Sequence, residues 1–396
     1  MELHRCRKRY TNSTHRVKTP EETYDLVKDT MPSVGVTETL DITDLDRVGI
    51  PVFISKRVET DTGRQMIHNG KGFSTIESIV SAMMESIERH CSSFEAGLVT
   101  VSPAISLDSR YIDPVDLVLP NPVLYSERLP LSWCRGAELM HRGDVLVAAN
   151  AVFHPFPQGP GWLFRSNTNG LACGNCLEEA ILHALCEVIE RDAWSLAELS
   201  NSAPNDVILD TDDPHINWVL DRFNDAEVEI TIKDITSDIG LPTFFAVSDD
   251  VRDKDPTLLN MGVGTHLSPK VALIRALTEV AQSRLSQIYQ NKTNPSGSIL
   301  KQRLGYDKIK AMNKKWIQRS KSVSFSEFES FDTQFLLDDI EVVLSMLSGK
   351  GFENACVVDL TREAIGVPVV RVVVPGLEQS SVDRDRVGKR ARSIIT

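Results

Sequence analysis

The hydrophobic positions of this chain fall into a pattern that occurs three times. Amphipathic helical periodicity runs near Pro20 to Thr30, His215 to Phe223 and Asp338 to Leu347. Each stretch is followed by a strand-like run, clearest in Val228-Glu229-Ile230-Thr231-Ile232, where apolar and polar residues alternate with period two. A turn then recurs in one form: Asp41-Ile42-Thr43 leading to Gly49-Ile50-Pro51-Val52, Asp234-Ile235-Thr236 leading to Gly240-Leu241-Pro242-Thr243, and Asp359-Leu360-Thr361 leading to Gly366-Val367-Pro368-Val369. An apolar strand comes after each turn, the longest over Val367 to Val374. Helix, strand, turn and strand in that order predict α/β layers with sheets covered by helices. Their repetition predicts one composite domain of three equivalent parts.

A second unit interleaves with the first. Ala-x-x-Glu-x-x-Glu-Arg stands at Ala82, Glu85, Glu88 and Arg89, again at Ala184, Glu187, Glu190 and Arg191, and in weakened form at Ala276, Glu279 and Gln282. Carboxylates at i and i+3 share one face of a helix. The neighbouring Met83, Met84 and Ile87, and Leu185, Val188 and Ile189, turn the opposite face toward a core. A single copy reads better as a solvated stripe on a surface helix; three copies in register change that and predict equivalent helices. Like charges beside a core repel unless a cation sits between them, and oxygen ligands on rigid helices suit Mg²⁺ that also holds phosphate.

Each of these helices starts from a glycine-bearing turn and an expected N-cap: Gly70-Lys71-Gly72 then Ser74 with Glu77, Gly170 and Gly174 then Asn175 with Glu178, and Gly262 and Gly264 then Ser268-Pro269. The first two resemble capping boxes, and Pro269 falls at the first helical position. Such turns can also present backbone N–H groups to an anion.

Composition sets outer limits. Hydrophobic content of 41% and charged content of 25% are those of an ordinary globular chain, and no window reaches the roughly 20 apolar residues of a membrane span. Met1 to Arg9 is basic without an apolar stretch behind it, which predicts no secretory signal and a cytoplasmic protein. A net charge of −12 disfavours general nucleic-acid binding, and the basic clusters Arg5 to Arg9 and Arg384 to Arg392 are expected to be solvated tails. Seven cysteines predict reduced thiols; Cys173-x-x-Cys176 lacks the further ligands of a zinc or iron–sulfur motif and reads as two small residues on a turn. Tyr289 to Ser330, rich in polar residues, is expected to be mobile surface with one amphipathic helix, and His154-Pro155-Phe156-Pro157 with Gly159-Pro160-Gly161-Trp162 a turn-rich loop. His183 reads as a packed or hydrogen-bonded side chain.

The run Asn169-Gly170-Leu171-Ala172, Gly174-Asn175, Glu178-Glu179-Ala180, His183-Ala184 and Glu187-x-x-Glu190-Arg191-Asp192-Ala193 resembles the signature of the YcaO family. So do Ser81-x-x-x-Glu85-x-x-Glu88-Arg89 after Gly70-Lys71-Gly72, and Arg275-Ala276-x-x-Glu279-x-x-Gln282. The resemblance covers about Thr14 to Arg392. It implies an α/β fold of internally repeated helix–strand units with ATP in a cleft lined by Glu-x-x-Glu helices rather than on a P-loop, and no P-loop motif is present. It further implies a YcaO domain over residues 61–396, with residues 1–60 a helix–strand segment of the same composite fold.

What the resemblance implies chemically is phosphorylation of a backbone amide. A nucleophile adds to the amide carbon, the oxygen takes the γ-phosphoryl group of ATP, and phosphate leaves. A Cys, Ser or Thr side chain as nucleophile gives an azoline ring; sulfide gives a thioamide. The resemblance assigns Glu85, Glu88, Glu187 and Glu190 to Mg²⁺, and Arg16, Thr23, Ser81, Asn175, Glu179, Arg191, Arg275 and Gln282 to ATP. Glu187, Glu190 and Arg191 are the expected catalytic set. The Thr14-His15-Arg16 opening, the Gly49-to-Phe53 strand and the end after Gly366 are similar to the archaeal YcaO proteins linked to thioamidation of a glycine in the methyl-coenzyme M reductase alpha subunit. The absence of a proline-rich C-terminal tail and of a fused peptide-binding domain favours a stand-alone enzyme, or one helped by a TfuA-type partner. A homodimer is expected from the family. The alternatives are a cyclodehydratase that forms azolines in a precursor peptide, and a non-catalytic scaffold that binds nucleotide or a partner; intact Glu85, Glu88, Glu187, Glu190 and Arg191 argue against the scaffold.

Overall fold

Three copies of one antiparallel meander, each backed by a long helix, frame the computed structural model, which describes residues 1–59, 62–122, 125–159 and 161–395. In the first copy helix α1 (Pro20–Val27) leads to β1 (Val36–Asp41), β2 (Val52–Val58) and β3 (Gln65–Lys71), each pairing with the next, and then to helix α2 (Thr75–Cys91). The chain continues through β4 (Val99–Pro103), β5 (Pro130–Glu138), β6 (Gly143–Ala148), β7 (Leu171–Cys173), helix α3 (Leu177–Leu199) and β8 (Asn205–Ile208). The second copy is α4 (Pro214–Asp225), β9 (Glu229–Asp234), β10 (Thr243–Asp249), β11 (Met261–Thr265) and α5 (Pro269–Thr293). Three short helices follow, α6 (Ile299–Leu304), α7 (Tyr306–Met312) and α8 (Lys314–Ile317), then β12 (Ser322–Ser324). The third copy opens with α9 (Leu336–Gly349), β13 (Cys356–Asp359) and β14 (Val369–Val373), and α10 (Lys389–Ile395) comes last. Its missing strand and helix come from earlier in the chain: β14 pairs antiparallel with β7, and α3 follows β7 as α2 follows β3.

The recurring turn folds alike in all three copies. In each, the aspartate Oδ1 accepts from the threonine N–H two residues on, at 2.9 Å for Asp41, Asp234 and Asp359. The same threonine's Oγ1 then accepts from the first N–H of the next strand, at 3.1 Å from Val52, 3.1 Å from Thr243 and 3.2 Å from Val369. Short polar side chains that bond their own backbone stabilise such turns. Gly49, Gly240 and Gly366 supply the positive φ that each return requires.

Close contact between helix and sheet explains the paired glycines and alanines. A Cβ at Gly70 would lie 2.1 Å from the Ala82 backbone nitrogen, and one at Gly264 would lie 2.1 Å from the Ala272 carbonyl. The helices therefore rest directly on strand backbone, with their Glu-bearing faces turned the other way. Apolar residues of all three copies fill the clusters beneath, such as Ile87, Trp133 and Val369, Leu185, Ile340 and Val372, and Phe223, Phe244 and Leu277.

Several expectations are corrected by packing. Cys176, not Asn175, caps α3, so the Asn175–Glu178 capping box does not form; the Asn175 amide is engaged elsewhere. Ser74 accepts from the Glu77 N–H, but the Glu77 carboxylate turns to the Phe73 N–H one residue earlier. The basic termini are not simply solvated: Lys8 lies 2.5 Å from Asp339 with both side chains buried, Arg386 is buried, and Arg390 pairs with Asp192 and Asp238. Tyr289 to Ser330 holds the end of α5, three short helices and a strand, and buries Trp316 against the Phe245 ring with centroids 4.2 Å apart. Among the described residues, no helix is long and apolar enough to cross a membrane.

Candidate active site

The Glu-bearing faces of α2, α3 and α5 meet in one cleft of about 370 Å³, closed on one side by the N-terminal arm. α2 brings Ser81, Glu85, Glu88 and Arg89, α3 brings Glu179, His183, Glu187, Glu190 and Arg191, and α5 brings Arg275, Glu279 and Gln282. Arg16 from the arm, Thr23 from α1, Lys71 from β3 and Asn175 before α3 complete the wall. Every residue that the sequence assigned to metal or nucleotide therefore lines this one cavity. The described part of the His154 to Trp162 loop does not line it, and Pro160 lies outside the described residues.

At one end of the cleft neutral and acidic groups form a network. The Thr23 hydroxyl lies 3.0 Å from Asn175 Oδ1, and the Asn175 amide donates to Glu179 Oε1 at 3.0 Å. Glu179 is buried; its other oxygen accepts from the Val17 N–H at 2.9 Å, and Arg16 Nε stands 3.5 Å away. These bonds tie the arm to the start of α3.

At the other end the carboxylates crowd. Glu85 accepts from the Asn69 N–H at 3.1 Å and faces Arg89 at 3.3 Å; Glu88 lies 3.4 Å from Arg89, and Glu190 lies 3.6 Å from Arg191. Burial, reinforced by the negative Glu187 and Glu85 and only partly offset by Arg89, pushes the Glu88 carboxyl up to about 8. Burial also raises Glu187 and Glu190. Glu279 goes the other way: burial opposes it, but Lys71 at 2.9 Å, with Arg191 and Arg275, holds its carboxyl below the usual value. Burial and then the Arg275 charge push His183 well below its usual value, so its Nε2, 3.1 Å from Arg275, accepts from the guanidinium. The sequence reading missed the Lys71–Glu279 pair and the His183–Arg275 contact. Glu279 had a signal, its place in the third repeat; Lys71 had none beyond its glycine neighbours.

The thiols divide. Cys173 lines the cleft and donates to the Met84 carbonyl at 3.3 Å, whereas Cys176 lies outside it in a group with Cys6 and Glu178 whose ligand atoms are within 4.8 Å of one another.

A family model described as YcaO cyclodehydratase, ATP- and Mg²⁺-binding, matches residues 69–378. The chain is 45% identical over 383 residues to an uncharacterized protein of Methanothermobacter thermautotrophicus, covering 95% of this chain and 98% of the relative. It is 30% identical over 391 residues to an uncharacterized protein in the tfuA 3′ region of Rhizobium leguminosarum bv. trifolii, covering 92% of this chain and 88% of that one. The structure of YcaO from Methanopyrus kandleri bound with AMPPCP and Mg²⁺ superposes with a TM-score of 0.81 at 28% identity, over 97% of this chain and 98% of that chain. An α/β fold with a helix-lined acidic cleft and an ATP- and Mg²⁺-dependent enzyme class are thereby defined. The chain belongs to the YcaO family, whose members are ATP-dependent enzymes acting on peptides.

The residues present fit these cofactors. Carboxylates that burial holds above their usual range, Glu88 raised further by Glu187 and Glu85, are oxygen ligands short of cations, which is what a hard divalent ion supplies. Arg275 Nε is buried without a hydrogen-bond partner among the described residues, a donor available to phosphate oxygens.

Proposed function

We propose that this protein activates a peptide backbone amide with ATP and, with sulfide as nucleophile, converts it to a thioamide, its substrate being a glycine of the methyl-coenzyme M reductase alpha subunit. The observation that carries amide activation is the convergence of Glu85, Glu88, Glu187 and Glu190 from two equivalent helices on one cleft beside Arg89, Arg191 and Arg275. On this reading those four carboxylates hold Mg²⁺, which would offset phosphate charge and orient the γ-phosphoryl group. Arg191 and Arg275 offer planar donor forks to the phosphates. Arg16, Thr23, Ser81, Asn175, Glu179 and Gln282 supply the further contacts to ATP on this reading. On this reading Glu187, Glu190 and Arg191 form the catalytic set, one carboxylate pair with a neighbouring guanidinium on the cleft face of α3 that would stabilise charge on the transferred group.

Sulfide is favoured as nucleophile by the 45% identity to a methanogen protein, and a TfuA-type partner by the relative in the tfuA 3′ region. The family description favours a second reading, cyclodehydration of a precursor peptide to azolines. Mass spectrometry separates them. A glycine-bearing peptide of the reductase alpha subunit, incubated with protein, Mg-ATP and sulfide, should gain the mass of one oxygen replaced by sulfur. No gain there, with ADP release driven by a Cys-bearing peptide that loses water, would replace thioamidation by cyclodehydration.

A further inference from the structure

A second, much smaller cavity of about 20 Å³ lies behind the cleft, against β14. Two arginines line it, Arg371 of β14 and Arg386, exposed to only 5% and 2%. None of its lining residues is acidic; the others include Phe164, Asn169, Val188 and Gln379. Arg386 is satisfied by neutral groups: its Nε donates to the Val118 carbonyl at 2.9 Å, its Nη2 to the Leu117 carbonyl, and its plane lies 3.8 Å from the Phe164 ring centroid. Arg371 is worse off. Among the described residues its side chain makes one hydrogen bond, a long one from Nη2 to Asn167 Oδ1 at 3.4 Å, and its Nε and Nη1 are buried with no hydrogen-bond partner.

The carboxylates whose charge reaches these guanidinium groups, Glu187 and Glu88 for Arg371 and Asp383 for Arg386, all lie outside the cavity wall, so two buried cations meet there with no anion between them and two donors of Arg371 lack an acceptor. Proteins do not bury such a charge without a counter-ion or a full set of acceptors. Burial pushes both guanidinium groups down to about 10, and for Arg371 the positive Arg386 adds to that effect. The volume admits a single body of about water size. Val188 lines the cavity while Glu187, one residue before it, lines the cleft, and Glu187 and Glu88 are the carboxylates whose charge reaches Arg371.

We propose that this cavity is a binding site for one small monovalent anion, of the size class of chloride or hydrosulfide, held by Arg371 and Arg386. Its functional occupant is hydrosulfide; this second part rests on the thioamidation reading above. A guanidinium-lined site selects the anion over neutral hydrogen sulfide, and so presents sulfur in its nucleophilic form next to the carboxylate cleft.

Bromide is the probe. Crystals grown with bromide in place of chloride should show one anomalous peak between the two arginines, lost in Arg371→Met and weakened in Arg371→Lys, which keeps the charge but not the fork of donors. In solution bromide should compete with sulfide in thioamide formation. Arg371→Met should raise the sulfide KM about tenfold or more with the ATP KM unchanged. A wild-type cavity that refines as water at saturating bromide overturns the anion site. A peak combined with a sulfide KM indifferent to bromide overturns hydrosulfide as the occupant and leaves a structural anion site. Failure to form any thioamide overturns the proposed function instead, because the bromide peak is read without turnover.

Discussion

Replacing Glu88 by Gln tests whether the cleft stores electrostatic cost that a cation relieves. The Glu88 side chain is 12% exposed, and burial beside Glu187 and Glu85 lifts its carboxyl from an ordinary 4.5 to about 8. The sign follows from linkage. Between those two values the unfolded chain releases the proton and the folded chain keeps it, so stability falls as pH rises from 4.5 and stops falling above about 8. At ~1.4 kcal/mol per pH unit, the loss by about pH 7 is roughly 3 kcal/mol. Glu88→Gln removes the titration and keeps the shape. Without Mg²⁺ the variant and wild type should melt together near about pH 5, and by about pH 8 the variant should melt higher by roughly 5 °C. Wild type should regain the difference when Mg-ATP is added, and the variant should gain much less, since ligand binding stabilises only the protein that binds. The assay is differential scanning fluorimetry across pH with and without Mg-ATP. A melting difference that does not change with pH, or a variant less stable than wild type at about pH 8, would refute the reasoning.

Glu187→Gln or Glu190→Gln should abolish Mg²⁺-dependent ATP turnover while far-UV circular dichroism and melting temperature stay at wild-type values or above; unchanged turnover in both variants would sink the role given to α3. Asp46→Ala should cost about 3–5 kcal/mol in denaturant unfolding, because Arg284, fully buried, loses the two bonds of 2.8 and 3.1 Å that it makes to Asp46 and keeps only Asp250 at 3.1 Å and a carbonyl. Gly264→Ala should cost about 1–3 kcal/mol or more, measured the same way, since the added methyl would meet the Ala272 carbonyl at 2.1 Å and push α5 off β11. Lys71→Met should raise the Glu279 carboxyl, which NMR titration of a labelled side chain would detect, because Lys71 is the largest of the charges holding it down.

Whatever depends on neighbours along the chain was legible in the residues alone. Period-three-and-four apolar spacing fixed α4 and α9 to within two residues at each end. The three Asp-x-Thr turns were legible because their bonds run between the aspartate and a threonine two residues on. The carboxylates Glu85, Glu88, Glu187 and Glu190 were legible because i, i+3 spacing on a helix leaves them one face. Everything that depends on the crossing of distant segments emerged only in the folded chain. Nothing local tells β7 and α3 that their partner strand is β14, nearly two hundred residues later, so the third copy closes only in space. Lys71 reaches Glu279 across two copies, and Arg371 and Arg386 share a cavity with no sequence spacing in common. Charge is read along the chain as a sum, but its energy depends on burial and distance. The same glutamate is an ordinary acid on a surface helix and a suppressed one when buried beside Glu187, and that burial exists only once the helices have met.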